Sequence, residues 1–528
     1  MIEMKDNYKF ILSVLLIAEI LLIVYMTWQW GAQWLDSDDS AEMILAELLS
    51  REGGILSKNW YYSTELRVFN TQLVMAPLFC LFSDWHVVRT VGTGILLVIL
   101  LSSYLFFCRS VGLGKSLISL APLIVWPFSR EYVHFVLYGL FYIPHLVIIF
   151  LTLALCLNNS PKRRLLRVLG LVVLSFLAGL GGLRMIAVCY LPLAAAAIIS
   201  IIPGFRSKGL VTKNVAYRAL FASVAAMAGL VVNYMILAKT YSFVSMTSTY
   251  LVLPGLQKIL PIIKSVPAFL GSVKPDFSSS SVVFVLVVVS LVLVLCVVIG
   301  YMCLRLFARW KSLSQETQIL LAYFLFSFLV TVFAPVFTTQ SWSRRYMILP
   351  GIGWLVIVAA YLDYFKPVAS IKKGICILII AAELSAGLNQ CFTFVNNRDL
   401  PEKDAAFTYI LNSGMKFGFG DWDTSDVLTE LSNGHIHLCK ILNFNHMDAW
   451  YWLMEKDFQK YAKGEPVFLI MDNSRLSYNG GVPHVVGSWV RSDLTYLDSG
   501  KIVFRDQHYT VWKYESYEQF ESLTGKKF

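Results

Sequence analysis

Charge is what this chain has least of. Only 15% of its 528 residues are Asp, Glu, Lys or Arg, while 57% are hydrophobic, against about a quarter charged in an ordinary soluble domain. That balance excludes a soluble globular protein and indicates a polytopic membrane protein. Cysteine is sparse and scattered. Eight of the nine (Cys80, Cys108, Cys156, Cys189, Cys296, Cys303, Cys376, Cys391) fall in or near apolar runs, and Cys439 alone lies in the polar tail. With no CxxC and no Cys/His zinc spacing, neither a disulfide framework nor a zinc site is indicated. No small-residue cleavage site follows the first apolar run, Phe10 to Tyr25, so it reads as a retained signal anchor. Internal repeats and low-complexity segments are also missing. The net charge of +10 is unevenly split: residues 1–395 hold 30 Lys/Arg against 16 Asp/Glu, and residues 396–528 hold 14 against 18. The basic excess belongs to membrane-flanking loops and implies no nucleic-acid partner.

What the chain does have is long apolar runs. Runs of spanning length lie near residues 10–29, 88–108, 165–183, 185–203, 217–238, 281–304, 318–337, 346–363 and 373–392. The region 116–157 adds two more, 116–129 and 137–157, broken at Ser129-Arg130-Glu131-Tyr132. About eleven spans are expected. With a cytoplasmic N-terminus, alternation places every strongly basic cluster inside except Arg344-Arg345, as the positive-inside tendency requires. The same parity puts residues 396–528 outside the cell membrane, as an extracytoplasmic α/β domain following a transmembrane domain at 1–395. In that tail, Asp423 to Leu431 reads as a capped helix ended by Asn433-Gly434. Strands are expected at 435–442, 467–471, 501–505 and 508–514, the last two joined as a hairpin.

The scarce acids are concentrated. Eight of the 16 in residues 1–395 (Asp36, Asp38, Asp39, Glu42, Glu47, Glu52, Glu65, Asp84) lie between Trp28 and Arg89, in the first outer loop at 30–87. Carboxylates that repel one another at a membrane surface point to a site needing negative charge, either a base for an acceptor hydroxyl or a cation site. Capping and the helix dipole account for one or two acids at a helix start, not for four within seven residues. On a helix, Asp38 and Glu42 share one face, and Asp36, Asp39 and Met43 another. Glu19 and Glu383, inside the first and last spans, read as neutral hydrogen-bonded acids between helices. His134 and His145, with Tyr132, Tyr138 and Tyr142, read mainly as an interfacial aromatic belt. His435, His437 and His446 have no ligand spacing and read as structural.

The acidic pair just outside the first span, with a small residue seven positions after Asp39 (Ala46), resembles the glycosyltransferase C (GT-C) superfamily. The resembling branch is that of protein O-mannosyltransferases and aminoarabinose-transferase-like enzymes. Ser343-Arg344-Arg345-Tyr346-Met347-Ile348-Leu349-Pro350 resembles the Arg-Tyr-then-Pro pattern that opens a late span in these enzymes, and Gly181-Gly182-Leu183-Arg184 puts an arginine at an outer turn. The branch's usual pair is Asp-Glu; here it is Asp38-Asp39, and Glu42 stands where Tyr is common. The resemblance implies inverting transfer of a sugar from a polyprenyl-phosphate carrier to an extracytoplasmic glycan, lipid or protein acceptor. Asp38 is then the expected base with Asp36 second, and Asp39 and Glu42 are auxiliary acids. Arg184, Arg344, Arg345 and Tyr346 would meet the lipid phosphate, guanidinium matching phosphate bidentately. A divalent cation, Mg or Mn, if used, would sit on Asp36 and Asp38. The competing class is a transporter or flippase of a lipid-linked envelope precursor, which favours paired half-repeats and mid-membrane charges. A non-enzymatic assembly protein would leave the acid cluster idle.

Overall fold

The computed structural model describes residues 6–63, 66, 68–160, 163–208, 213–244, 250–274, 282–396, 401–479, 482–485 and 495–528. Among them, eight helices are long and apolar enough to cross a membrane: Asn7–Gln33, Trp85–Ser110, Leu183–Ile201, Lys213–Thr240, Val282–Ala308, Gln315–Phe337, Arg344–Phe365 and Ala369–Asn396. A ninth arises if Arg130–Tyr138 and Ile143–Leu157, bent by 85°, count as one broken span. The protein is therefore a multi-pass helical membrane protein, as expected.

Two of the eleven expected spans take other forms. The run 116–129 is two short pieces, Gly114–Ser119 and Ala121–Ile124, with Pro122 at the start of the second. Proline lacks the amide that would carry a helix across that point, and apolarity alone does not separate such a piece from a span. The run 165–183 becomes Arg164–Leu180, 17 residues, or about 26 Å of helix. It crosses Lys213–Val232 so tightly that a Cβ on Gly179 would strike the Ala226 carbonyl, and one on Gly229 the Phe176 carbonyl. Small residues at such crossings let backbones touch where lipid supplies no hydrophobic drive. The break expected at 129–132 is split in two: residues 125–129 are non-helical, and a second break follows Arg130–Tyr138. Ser129 caps a short helix by accepting from the Tyr132 amide at 3.2 Å, and the chain turns again near Leu140, at φ 66°.

The acid-rich segment is a helix, Ser37–Glu52, capped by the Asp36 side chain and closed by Gly53 in the left-handed conformation. It is a buried helix rather than a solvated one: Ala41, Met43, Leu45, Ala46, Leu48 and Leu49 are all at most 5% exposed. This loop helix packs on Gln72–Phe79 from one side and on Trp422–Leu431 of the C-terminal domain from the other.

Three strands join distant parts of the chain in one small sheet, with β1 (Trp60–Tyr62) in the middle. It pairs in parallel with β2 (Ser242–Phe243) and antiparallel with Met454–Glu455 of the C-terminal domain. The C-terminal domain follows the last membrane helix and contains β3 (Phe417–Gly420), β4 (His437–Asn443), β5 (Asp448–Ala449), β6 (Met454–Glu455), β7 (Val467–Asp472), β8 (Leu476–Asn479), β9 (Val482–Val485), β10 (Lys501–Arg505) and β11 (Tyr509–Tyr514). Its main sheet has the order β10-β11-β7-β3-β4-β5, parallel across β7, β3 and β4 and antiparallel beyond them. This is the expected α/β domain. Its apolar core, which includes Phe419, Leu469 and Trp512, is separate from the core of the helical part.

A candidate acidic site at the domain junction

The loop helix exists because an apolar face follows an N-cap. The Asp36 side chain accepts the Asp39 amide at 2.8 Å, which satisfies one otherwise orphaned donor of the first turn. The cap places three carboxylates around one helix start, each in a different setting.

Asp36 faces a cavity of about 380 Å³, whose wall includes Trp34, Arg130, Glu131, His134, Gln390 and Phe394. Its second oxygen lies 2.8 Å from His134 Nε2. Burial would raise its pKa, but the hydrogen bond and charge of His134, the Asp39 amide and the Arg89 charge together hold it below the ordinary carboxylate value. Asp36 is therefore an ionised carboxylate. Asp39 is its opposite. It is 1% exposed, both carboxylate oxygens lack a hydrogen-bond partner, and a Cβ on Gly139 would come within 2.5 Å of its Oδ1. Burial first, and then the Asp36 charge, push its pKa well up. Two neighbouring acids thus sit in opposite protonation states, the pattern by which environment divides roles between carboxyl groups.

Asp38 is more open and lies 3.7 Å from Arg345 Nη1. Arg345 also stacks its guanidinium over Phe135 at 5.6 Å and over Tyr346 at 6.0 Å. Arg344 reaches Glu131 at 3.5 Å. Tyr346 accepts from Gln340 Nε2 at 3.0 Å and meets Trp342 edge-on. Glu42 is tied down away from the cavity, accepting from Thr71 Oγ1 at 2.9 Å and from Gln72 Nε2. Arg184 lines a different, small cavity with Phe69, His145 and Met185.

The structure thus brings Asp36, Asp38 and Asp39 together with Arg344 and Arg345, and places Arg184 and Glu42 in other surroundings. Among the described residues, Asp36, Asp39 and His134 form a group of three whose ligand oxygens and nitrogen lie within 4.8 Å of one another. Sequence reasoning gave His134 and Tyr138 to an aromatic belt and did not single out Arg89, Arg130, Glu131 or Glu430 as functional. Arg89 carried a usable signal, since a guanidinium near the start of a membrane helix needs a partner. It lies under the loop helix, forms a bidentate pair with Glu430 at 2.6 and 2.7 Å, and donates to the Asp39 carbonyl at 3.0 Å.

Asp39→Asn should stabilise the protein at neutral pH and leave it unchanged in acid. The unfolded Asp ionises near its ordinary value of about 3.9, whereas the folded one holds its proton. The penalty is absent below the unfolded value and grows by about 1.4 kcal/mol per pH unit above it, up to the folded value. Melting curves of both proteins across pH, in chelator, check this. A gap that stayed constant with pH would overturn it.

No family model matches the chain, and no curated protein sequence matches it. Among solved structures it is similar to ArnT from Cupriavidus metallidurans in the apo state, with a TM-score of 0.55 at 13% identity over 98% of this chain and 99% of that one. It is also similar to ArnT from the same organism bound to undecaprenyl phosphate, at 0.54 and 12% over 95% and 97%. A likeness to the Archaeoglobus fulgidus oligosaccharyltransferase, tethered with an acceptor peptide containing the NVT sequon, stands at 0.47 and 11% over 89% and 70%. From end to end, the chain shares the fold of ArnT from Cupriavidus metallidurans.

Proposed function

We propose that the protein transfers a sugar from a polyprenyl-phosphate carrier to an acceptor hydroxyl on the face that bears the C-terminal domain. The N-terminus would be cytoplasmic and that domain extracytoplasmic, following the charge bias of the loops. The observation that carries this reading is the convergence on one helix start: Asp36 on His134 at a cavity wall, with Arg345 on Asp38 beside it. ArnT, whose fold the chain shares, has been solved bound to undecaprenyl phosphate.

In the proposed step the acceptor oxygen attacks the anomeric carbon as the bond from that carbon to the carrier phosphate breaks, with inversion. The acceptor proton passes to Asp36, a carboxylate at the cavity wall held by His134. Negative charge grows on the departing phosphate, and Arg345 and Arg344 supply the compensating guanidinium donors. Their ion pairs, at 3.7 and 3.5 Å and partly exposed, are loose enough for a phosphate to compete for them.

Asp36, Asp39 and His134 fit a divalent cation, because their ligand atoms lie within 4.8 Å of one another and a bound ion would replace the proton that buried Asp39 otherwise holds. An imidazole among the ligands suits Mn²⁺ better than Mg²⁺. When bound, the ion would supply positive charge near the leaving phosphate.

The test uses purified protein in sealed proteoliposomes, given lipid-linked sugars and candidate glycan, lipid and protein acceptors extracted from its host envelope, and followed by mass spectrometry. The expected result is loss of the carrier-linked sugar with release of polyprenyl phosphate and one equivalent of glycosylated acceptor. Carrier movement across the bilayer with the sugar–phosphate bond intact would overturn the reading in favour of a transporter.

A further inference from the structure

We infer that Arg89 and Glu430 are positioning residues for the acidic site, so that the C-terminal domain is a working part of it and not an appended binding module. This rests on the reading that the Asp36 site carries the chemistry.

Two ion pairs among the described residues are buried at both ends, Arg89–Glu430 and Lys440–Asp426; the others given are partly exposed on at least one side. Both acids come from the helix Trp422–Leu431, four residues apart and therefore on one face. Asp426 ties that helix to its own sheet through Lys440 of β4 at 2.5 Å. Glu430 ties it to the membrane helix Trp85–Ser110 through Arg89. The helix is thus clamped on both sides, and the loop helix lies against it.

The clamp continues directly into the site. The Nη2 of Arg89 that binds Glu430 also donates to the Asp39 carbonyl, in the first turn of the loop helix. The Arg89 guanidinium lies 5.8 Å from the centre of the Tyr138 ring, and the Tyr138 hydroxyl donates to the Gly31 carbonyl at 2.5 Å. At the start of the loop helix, Ser37 Oγ donates to the Trp422 carbonyl. One guanidinium therefore touches the loop helix that follows Asp36, the short helix that carries His134, and the C-terminal domain. A guanidinium can do this because it offers several donors in a fixed plane, which an ammonium does not.

A purely structural staple and a positioning group make different predictions for an apolar replacement. Swapping a buried ion pair for well-packed hydrophobic residues commonly leaves a fold intact, whereas removing one partner strands the other. Arg89→Met with Glu430→Leu should fold and keep undecaprenyl phosphate affinity within about 3-fold, yet release polyprenyl phosphate from the lipid-linked donor about 100-fold more slowly. Hydrogen exchange should rise in peptides covering 37–45 and stay unchanged in the sheet strands β7 and β11. Arg89→Lys, which keeps the charge and loses the fork, should show the same exchange change and a smaller rate loss.

Full turnover in the double variant, or exchange unchanged over 37–45, would overturn the inference. Exchange rising everywhere would reduce the pair to a staple. The exchange arm needs no turnover, so it separates failure of this inference from failure of the proposed function. If the parent protein never releases carrier phosphate, the function falls while the positioning result still stands or falls by itself.

Discussion

Asp36→Asn should lower the rate of sugar transfer about 10³-fold, within the range for loss of a positioned general base. The substitution isolates charge because Asn caps a helix start as well as Asp does, so the loop helix should keep its geometry and the melting temperature should hardly move. Carrier affinity should be nearly unchanged, placing the loss in kcat. Asp38→Asn should cost about tenfold, through the freed Arg345, since its carboxylate is not among the residues lining the cavity. Rates measured under single turnover decide between the two acids. A larger loss for Asp38→Asn would move the base to that residue, and no loss for either would end the enzymatic reading. The pH profile adds a second check. Because the Asp36 pKa is held below its ordinary value, the base stays ionised as pH falls, so the acid limb should lie below about pH 3.9. A limb at ordinary or higher pH would assign the base to another group.

The second large effect is expected at Arg345. Removing one preorganised donor at a developing anion costs about 10²–10³ in rate, and Arg345→Ala should fall in that range. Arg345→Lys should recover part of it, because an ammonium keeps the charge and loses the bidentate geometry. Arg344, which is 61% exposed and turned to Glu131, should cost about tenfold. Arg184→Ala should leave carrier release within about 3-fold, since that residue lines another cavity. Carrier release from synthetic lipid-linked donors in nanodiscs measures all four variants. If Arg345→Ala loses less than 3-fold, the residue only snorkels at the interface.

How much of this could be read from the sequence depended on whether the signal was local. The long apolar helices were legible because the bilayer fixes their length and composition. So were the strands expected at 467–471 and 501–505 and the helix ended by Asn433-Gly434, since caps and alternation act over a few residues. The central strand Phe417–Gly420 was not expected: two glycines in four residues weaken the local strand signal, and pairing with its neighbours β4 and β7 makes it a strand. At the site, the acidic cluster announced itself by density. Its sorting did not, because the states of Asp36 and Asp39 are set by His134, Arg89 and Gly139, which arrive from other elements. The Arg89–Glu430 contact spans 341 positions, and neither residue's neighbours hint at the other.

The small sheet of β1, β2 and β6 has a consequence for biogenesis. Its three strands are made at residues 60, 242 and 454, so the edge offered by Tyr61 is left open while almost the whole polypeptide is still being synthesised. At roughly 5–20 residues per second, that delay is about 20 to 80 seconds. A nascent chain that has already threaded every helix into the bilayer still leaves one edge of β1 bare and the row of acids unclamped. Membrane insertion and maturation are therefore separate events for this protein, and a chaperone working on that face would meet its client in the interval between them.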